Sequence, residues 1–345
     1  ATYKEIKGVT VQTKDEDPSL FVGSWASGGN VNTARETVAG NGIQTAALMT
    51  GGSTPGGKSA LTESYNGSSW TETGDLNTAR SQLRSEGTYT AAIAFGGATT
   101  AVSALNESFN GSSWTETGDL NTARRGLASA GASSTAVLGI TGYTTTNVAN
   151  MESWDGSSWT ETTDVNTARR NLSGGGPNTS ALIFGGYTTT YTNLTESWNG
   201  SAWTETGDMN TNRIYHGGDA ASNTSAIAFA GDVPPMTANT ETWNGSSWTE
   251  QNNLAQARNG LGDAGSAVSA LASSGSDGSS TFYTNTEEWS FPSSPVLVEG
   301  MLFLSGTTTL KGFGKAAGIP AATWSSGGDL NTGRLVGAGF GLTIP

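Results

Sequence analysis

The sequence contains no cysteine and a single histidine, His216, among 345 residues. Without cysteine, neither a disulfide framework nor a thiolate metal site can form. One histidine is also too few for the usual nitrogen-ligated zinc sites. We therefore expect no metal site, and no residue pattern indicates a cofactor.

Charged residues are scarce as well, at 13% of the chain, and their balance is acidic, with a formal net charge of −13. A surface of this sign repels a phosphate backbone, so we expect no nucleic-acid partner. No apolar run approaches the length of about 18 residues that indicates a membrane span, and the first residues contain no apolar signal region. The expectation is a chain made in the cytoplasm without a signal peptide, unless one has already been removed, and with no membrane insertion.

Repetition is what the sequence has in abundance. A tryptophan followed ten residues later by an arginine recurs at a step of 44 or 45 residues over the first six copies. The copies are Trp25–Arg35, Trp70–Arg80, Trp114–Arg124, Trp159–Arg169, Trp203–Arg213, Trp248–Arg258 and, after a longer interval, Trp324–Arg334. Self-similarity at this period indicates an array of supersecondary units.

Each unit reads as four short strands, which we name a to d. In the second unit, strand a follows Arg80, strand b is 90–95, strand c is 105–109 and strand d starts at Trp114. Strand b ends on a glycine in all six units, where a positive φ or a close contact is expected. An Asn-Gly pair between strands c and d predicts a tight hairpin with a type I′ turn.

Four strands per unit and six units predict an all-β fold, a six-bladed β-propeller of four-stranded antiparallel blades, with seven blades as the alternative. We assign residues 1–20 to an N-terminal lead, 21–290 to the propeller, and 291–345 to a short β-rich C-terminal extension that reads as a partial extra blade. The sixth unit lacks a strand d, and the segment ending at Trp25 looks like a strand d without a unit. We expect this N-terminal strand to close the ring.

The units resemble the kelch repeat. That family has a Gly-Gly after its second strand, then an aromatic residue, a Trp and an Arg, and the first unit here has Gly51-Gly52, Tyr65, Trp70 and Arg80. The resemblance covers roughly residues 25–290. It departs from the family in a short aromatic-to-Trp step of five residues and in three incomplete double glycines, at Thr141, Ala230 and Ser274. The resemblance implies the propeller fold and leaves the function open, because propellers serve binding and catalysis alike.

The amino-acid sequence of the units is also similar to that of the kelch-like virion proteins of marine tailed bacteriophages. The likeness lies in the repeated Asn-Gly-Ser-Ser-Trp-Thr-Glu-Thr-Gly-Asp-Leu-Asn-Thr-Ala-Arg run and in residues 3–8, 299–303 and 310–313. It implies a non-enzymatic structural or surface protein of the virion, of the tail-fibre, spike or capsid-decoration type, used in host attachment. Its implied partners are other virion proteins or copies of itself, bound through the C-terminal extension. The alternative is an extracellular carbohydrate-binding lectin or adhesin, whose partner is a host-surface glycan.

No constellation of residues indicates catalysis. A catalytic acid–base pair should be a local exception, whereas the glutamates recur with the units. They lie on strand c at Glu63, Glu107, Glu152, Glu196, Glu241 and Glu287, and on strand d at Glu72, Glu116, Glu161, Glu205 and Glu250. We interpret both sets as structural partners of the periodic arginines. His216 occupies a position where other units have Val or Leu, so we expect a packed, hydrogen-bonded core histidine.

The units differ most in the connections between strands b and c, which should share one face of the propeller with the d–a connections. Tyrosine among Thr, Ser and Asn is the composition of an adaptable recognition surface. The candidate ligand-binding residues on this face are Tyr143, Tyr187, Tyr191, Phe282 and Tyr283.

Overall fold

The structure, a computed structural model, describes residues 22–292 together with two short segments, 302–305 and 309–312. The described residues form strands and turns, with no α-helix among them. Six four-stranded antiparallel sheets make up the blades of a propeller ring. The predicted all-β, six-bladed β-propeller is therefore confirmed, and no seventh blade occurs within the described residues.

The strands are short, as expected for blades built from small and β-branched residues between glycine-rich turns. In chain order they are β1 (Ser24–Ser27), β2 (Ala39–Ile43), β3 (Ala46–Thr50), β4 (Ser53–Thr54), β5 (Gly57–Lys58), β6 (Thr62–Tyr65), β7 (Trp70–Glu72), β8 (Arg84–Thr88), β9 (Ala91–Phe95), β10 (Asn106–Phe109), β11 (Trp114–Glu116), β12 (Ala128–Ser133), β13 (Ala136–Ile140), β14 (Met151–Trp154), β15 (Trp159–Thr162), β16 (Ser173–Gly175), β17 (Leu182–Phe184), β18 (Thr195–Trp198), β19 (Trp203–Glu205), β20 (Gly217–Ser222), β21 (Ser225–Phe229), β22 (Thr240–Trp243), β23 (Trp248–Gln251), β24 (Gly262–Ser266), β25 (Ser269–Ser273), β26 (Thr286–Ser290), β27 (Leu302–Ser305) and β28 (Thr309–Gly312).

Blade 1 has the strand order β2–β3–β6–β7, and blades 2 to 5 take the next four strands each, from β8 to β23. Blade 6 has the order β24–β25–β26–β1. Its outermost strand β1 pairs antiparallel with β26, with Trp25 opposite Trp289. The first and last described parts of the ring therefore meet in one blade, and this pairing joins the two ends.

Beyond the ring, the structure describes one antiparallel hairpin, β27–β28, in which Leu302 is opposite Gly312. The hairpin falls in two segments of the C-terminal extension that the sequence marks as strand-like. The N-terminal lead 1–20 and the last repeat copy, Trp324 to Arg334, lie outside the described residues.

The turns between strands c and d correct one prediction. Tyr65 and Trp70 are the last paired residues of β6 and β7, so the loop holds four residues rather than two. Gly67 has a φ of 88°, whereas Asn66 is not in the left-handed region. The Asn66 Oδ1 atom accepts hydrogen bonds from the backbone N–H groups of the two serines that follow, at 3.0 and 2.9 Å. The predicted type I′ turn is wrong, because the asparagine side chain organises a longer Asx-type turn.

The glycine that ends strand b has a positive φ in all six units, as predicted. At Gly97 the φ is 97°, and a Cβ atom there would lie 2.8 Å from the carbonyl oxygen of Ser81. The residue before this glycine is also left-handed, even where it is not glycine, at Thr141, Ala230 and Ser274. The units with an incomplete Gly-Gly pair therefore keep the same backbone path.

The hydrophobic core lies between the blades. Each of six clusters of buried apolar residues joins two neighbouring blades. One of them combines Leu48 of blade 1 with Phe109 and Trp114 of blade 2, whose ring centroids are 4.9 Å apart. Burial of each such large side chain contributes about 1.5–3 kcal/mol. A blade is consequently stable only beside its neighbours.

Each blade also encloses one ion pair between the repeat arginine and the glutamate of strand c. Arg80 Nη2 lies 2.8 Å from Glu107 Oε1, and both side chains are almost completely buried. The other carboxylate oxygen accepts a hydrogen bond from the backbone N–H of Asn77, which explains the recurring Asn-Thr-Ala-Arg. The six pairs are Arg35–Glu63, Arg80–Glu107, Arg124–Glu152, Arg169–Glu196, Arg213–Glu241 and Arg258–Glu287.

The structural role predicted for the glutamates is confirmed on strand c and wrong on strand d. Glu116 and its counterparts on the outermost strands are exposed, and none of them forms an ion pair with a residue that the structure describes. The physical reason is position, because strand d has no further strand to cover its polar side chains. These carboxylates contribute to solubility rather than to the core.

Candidate functional site

The innermost strands β2, β8, β12, β16, β20 and β24 contact one another around a channel that holds two cavities. One cavity, of about 370 Å³, is bordered by residues that follow the repeat arginines, including Glu36, Arg125 and Asn259. The other, of about 460 Å³, is bordered by the far ends of the same strands, including Gly42 and Thr88. We call them the loop-face cavity and the hairpin-side cavity.

A narrow space of about 40 Å³ separates the two cavities. Its lining includes one residue from each blade, at Val38, Leu83, Leu127, Leu172, His216 and Leu261. His216 is 4% exposed, and its two ring nitrogens lie 3.1 and 3.2 Å from the carbonyl oxygens of Gly217 and Phe184. Burial lowers the pKa of His216 to about 3, and the Arg213 guanidinium acts in the same direction. The predicted packed, hydrogen-bonded core histidine is confirmed.

A ring of six left-handed residues frames the channel between the constriction and the loop-face cavity. Their φ angles lie between 50° and 62°, and they are Thr37, Gln82, Gly126, Asn171, Tyr215 and Gly260. From Gln82 to Gly260, each backbone N–H donates to the carbonyl oxygen of the preceding member, at 2.8–3.0 Å. Gln82 Nε2 of blade 2 also donates to Tyr215 Oη of blade 5, at 2.8 Å. Non-glycine residues are held in this conformation only by a well-determined surrounding structure, so the loop face rests on a rigid frame.

Three of the predicted binding residues lie together on this face. Tyr143 and Tyr187 follow strand b of blades 3 and 4, and β-bridges pair them with Arg125 and Arg170 respectively. The Arg170 guanidinium carbon is 4.6 Å from the ring centroids of both tyrosines, and that of Arg125 is 5.2 Å from the Tyr143 ring. These distances are within the range of cation–π contacts.

Tyr191 completes this group. Its ring meets that of Tyr187 edge-on with centroids 6.0 Å apart, and its hydroxyl donates to Asp232 Oδ2 at 3.0 Å. Burial, followed by the hydrogen bond to Asp232, raises the pKa of Tyr191. Asn147 accepts a hydrogen bond from Arg170 Nη1 at 2.8 Å and donates to the Tyr187 carbonyl oxygen at 2.9 Å. We call the resulting group the aromatic–arginine cluster: Arg125, Tyr143, Arg170, Tyr187 and Tyr191.

The other two predicted binding residues lie elsewhere on the same face, in blade 6. Phe282 forms a β-bridge with Ser276, and the backbone N–H of Tyr283 donates to the carbonyl oxygen of Gly275 at 2.8 Å. Neither ring stacks on a ring of the aromatic–arginine cluster among the described aromatic pairs. The structure therefore brings three of the five candidates together and leaves Phe282 and Tyr283 apart from them.

Two residues of the cluster, Arg125 and Arg170, escaped the sequence analysis. They could have been predicted from the position that follows each repeat arginine. This position holds five residue types in six units, at Glu36, Ser81, Arg125, Arg170, Ile214 and Asn259. The same position pairs with the start of the b–c connection in each blade, so its variation belongs to the variable face.

The hairpin-side cavity holds four ionisable residues that the sequence analysis also missed: Arg84, Glu86, Asp219 and Asp263. Arg84 donates from Nε to the carbonyl oxygen of Leu127 at 2.8 Å, and its Nη1 is 3.9 Å from Asp263 Oδ1. They too could have been predicted, because they depart from the repeat: strand a has Gly, Ala or Ser at most of the equivalent positions in other units.

The carboxyl groups of this cavity hold their protons more tightly than usual. Burial raises the pKa of Asp219 to about 8, with the Asp263 carboxylate as the second cause. Burial likewise raises the pKa of Glu86 well above its usual range. In residues 22–292 no group of three His, Asp or Glu side chains is placed to hold a metal ion.

The fold and the loop face define a class of protein. It is a six-bladed β-propeller in which the residues of the loop face differ from blade to blade. No protein-family model matches the chain, and no curated protein matches its sequence significantly. In the part of the chain that the structure describes, no helix has the length and apolar character needed to cross a membrane.

Proposed function

We propose that this chain is a non-enzymatic surface protein of a tailed-phage virion, of the tail-fibre, spike or capsid-decoration type. In this role the propeller presents its loop face for attachment to a host surface. The observation that carries the attachment role is the aromatic–arginine cluster on blades 3 and 4. The virion assignment rests on the resemblance of the repeat units to the kelch-like proteins of marine tailed phages.

The cluster has the properties of a recognition surface. Tyr143, Tyr187 and Tyr191 are each half-buried, so one part of each ring is anchored while another part remains accessible. Rigid aromatic side chains offer a large contact area at a small cost in conformational entropy. The repeat does not need tyrosine at these positions, since Ser53 and Ala98 take the place of Tyr143 in blades 1 and 2. Fold stability alone therefore does not account for the tyrosines.

A cell-binding measurement tests the attachment role. Labelled protein should bind to cells of the host bacterium, and the double variant Tyr187→Ala with Tyr191→Ala should lose most of this binding. The matched control is Tyr89→Ala, because Tyr89 is 45% exposed on the strand a–b turn of blade 2, at the other end of the channel. Equal binding by all three proteins, with equal melting temperatures, would overturn attachment through the loop face.

The C-terminal extension is proposed to bind other virion proteins or further copies of this chain. Its described part, β27–β28, is a two-stranded hairpin, and an isolated two-stranded hairpin is marginally stable in water at best. Pairing with a strand of another chain would extend this hairpin into a larger sheet. Immunogold labelling and cryo-electron microscopy of intact particles test both points: label absent from particles contradicts the virion role, and an extension without contacts to another chain contradicts the assembly role.

The alternative function is an extracellular lectin or adhesin that binds carbohydrate without being part of a virion. Asn147 and Asp232 favour it, because their side chains hydrogen-bond the Tyr187 backbone carbonyl and the Tyr191 hydroxyl, and sugar recognition combines polar groups with aromatic rings. Glycan binding by the free protein, combined with its absence from purified particles, would favour this alternative. A glycan array without any bound sugar would exclude it.

A further inference from the structure

We infer that the aromatic–arginine cluster binds an acidic saccharide, through the guanidinium groups of Arg125 and Arg170. This inference rests on the proposed attachment function and adds the chemical class of the ligand. A carboxylate, as in a uronic acid, and a sulfate ester share the required negative charge, and the experiment below separates them.

Arg125 and Arg170 are cations in an acidic protein of net charge −13. The six repeat arginines are neutralised by the glutamates of strand c, and Arg84 has Asp263 as a neighbour at 3.9 Å. Arg125 and Arg170 have no carboxylate within 4 Å among the residues that the structure describes. Two half-buried cations without a counter-charge are a suitable place for an anion.

The two positive charges also share one aromatic contact. Both guanidinium groups lie over the same ring, that of Tyr143, at 4.6 and 5.2 Å from its centroid. Two like charges over one ring repel each other, and an anion beside them relieves the repulsion. The tyrosine faces and the Asn147 side chain fix the Arg170 guanidinium, which leaves a planar fork suited to a carboxylate or a sulfate.

The carboxylates around the cluster limit the size of the anionic ligand. Asp232 borders the cluster through its hydrogen bond with Tyr191, and Glu36 and Asp232 line the adjacent loop-face cavity. These carboxylates repel a continuous polyanion such as a nucleic acid, while they leave room for a single charged group on a sugar. The half-buried tyrosine rings beside the two arginines provide apolar contact for the sugar ring itself. A saccharide with isolated acidic groups fits this pattern of charges.

The test is isothermal titration of the full chain with three oligosaccharides of equal length: one that carries a single galacturonate residue, its neutral methyl ester, and one with a galactose sulfate ester in place of the galacturonate. We expect binding of one or both acidic forms, and at least about a tenfold loss of affinity in Arg125→Gln and in Arg170→Gln, as is typical when a hydrogen bond to a charged group is removed. The matched control is Lys58→Gln, since Lys58 is an exposed cation that lines the loop-face cavity and its loss changes the net charge equally. This control should bind as the parent does.

Each outcome has a defined meaning. A preference for the uronate or for the sulfate ester, lost in both arginine variants, supports the inference and identifies the anionic group. Equal affinity for the neutral ester, or equal loss in Lys58→Gln, overturns the inference. So does equally tight binding of a single-stranded oligonucleotide, because it would show unspecific attraction. If cell binding depends on Tyr187 and Tyr191 while the acidic sugars fail to bind, the proposed function stands and only this inference fails.

Discussion

Trp114 of blade 2 donates a hydrogen bond from Nε1 to Oγ1 of Thr62 in blade 1, at 3.1 Å, and both residues are buried. The same bond joins neighbouring blades at three further junctions, Trp25–Thr240, Trp70–Thr286 and Trp248–Thr195. At the remaining two, Asn106 and Met151 take the place of the threonine, and the Nε1 atoms of Trp159 and Trp203 have no partner. The repeat tryptophan therefore links adjacent blades as well as filling the core.

The substitution Thr62→Val tests this link. Valine keeps the shape of threonine but removes the acceptor, which leaves the buried Trp114 Nε1 group without a hydrogen bond. We expect the free energy of unfolding to fall by about 1–3 kcal/mol, the usual cost of such a group. Urea denaturation followed by tryptophan fluorescence measures the change.

The reverse change, Asn106→Thr, is the matched experiment at a junction that lacks the bond. It gives Trp159 Nε1 an acceptor and removes the unpartnered Asn106 Oδ1 atom. We expect a gain of about 1 kcal/mol in the free energy of unfolding. A loss of stability in Asn106→Thr, or no change in Thr62→Val, would contradict the role assigned to the threonine.

The buried ion pair is tested by Glu107→Gln. The change leaves the Arg80 guanidinium charged and buried without its counter-charge, and burial already lowers the pKa of Arg80. Breaking one side of such a pair costs about 3–5 kcal/mol. The control is Glu116→Gln on the exposed outer strand, which should change the stability by less than about 0.5 kcal/mol. Similar losses in both variants would show that the burial of the pair is unimportant.

His216 makes stability depend on pH in the acidic range. Its pKa is lowered to about 3 in the folded protein, so the unfolded chain takes up a proton first as the pH falls below about 6.5. Stability is therefore lost as the pH falls from about 6.5 towards 3, by about 1.4 kcal/mol for each unit of the pKa difference. His216→Leu, which restores the residue found in four other blades, should remove this loss of stability at acidic pH.

The measurement for His216 is chemical denaturation of parent and variant at several pH values between 7 and 4. His216 is the only histidine of the chain, so the difference between the two curves isolates its titration from that of the carboxylates. Parallel curves would show that the imidazole keeps an ordinary pKa in the folded state.

Asp219 makes stability change with pH in the opposite direction. Because burial raises its pKa to about 8, the folded protein holds a proton that the unfolded chain releases above pH about 3.9. Stability due to this group is present at low pH and is lost as the pH rises towards 8. Asp219→Asn should become more stable relative to the parent between pH 5 and 8. Asp155→Asn, at an exposed turn where other units have asparagine, is the control and should give a constant difference over this range.

The sequence alone determined most of what repeats from unit to unit in this protein, although it did not indicate the type of the turn between strands c and d. The spacing of Trp70 and Arg80 and of their copies indicated the number of blades, and the orphan strand at Trp25 indicated which strand completes the last one. The burial of His216 followed from the apolar residues at the same position in other units. Each of these inferences compares one position across repeats, and the repeats share one backbone because they share one packing environment.

The tertiary structure alone decided which of the varying residues meet. Gln82 and Tyr215 are 133 positions apart yet share a hydrogen bond across the channel, and Tyr191 contacts Asp232 of the next blade. No periodic pattern encodes such pairs, because closure of the ring brings distant units together only when all six blades are packed. For the same reason, Arg125 and Arg170 became recognisable as a pair of unneutralised cations only in the folded ring, where both lie against Tyr143.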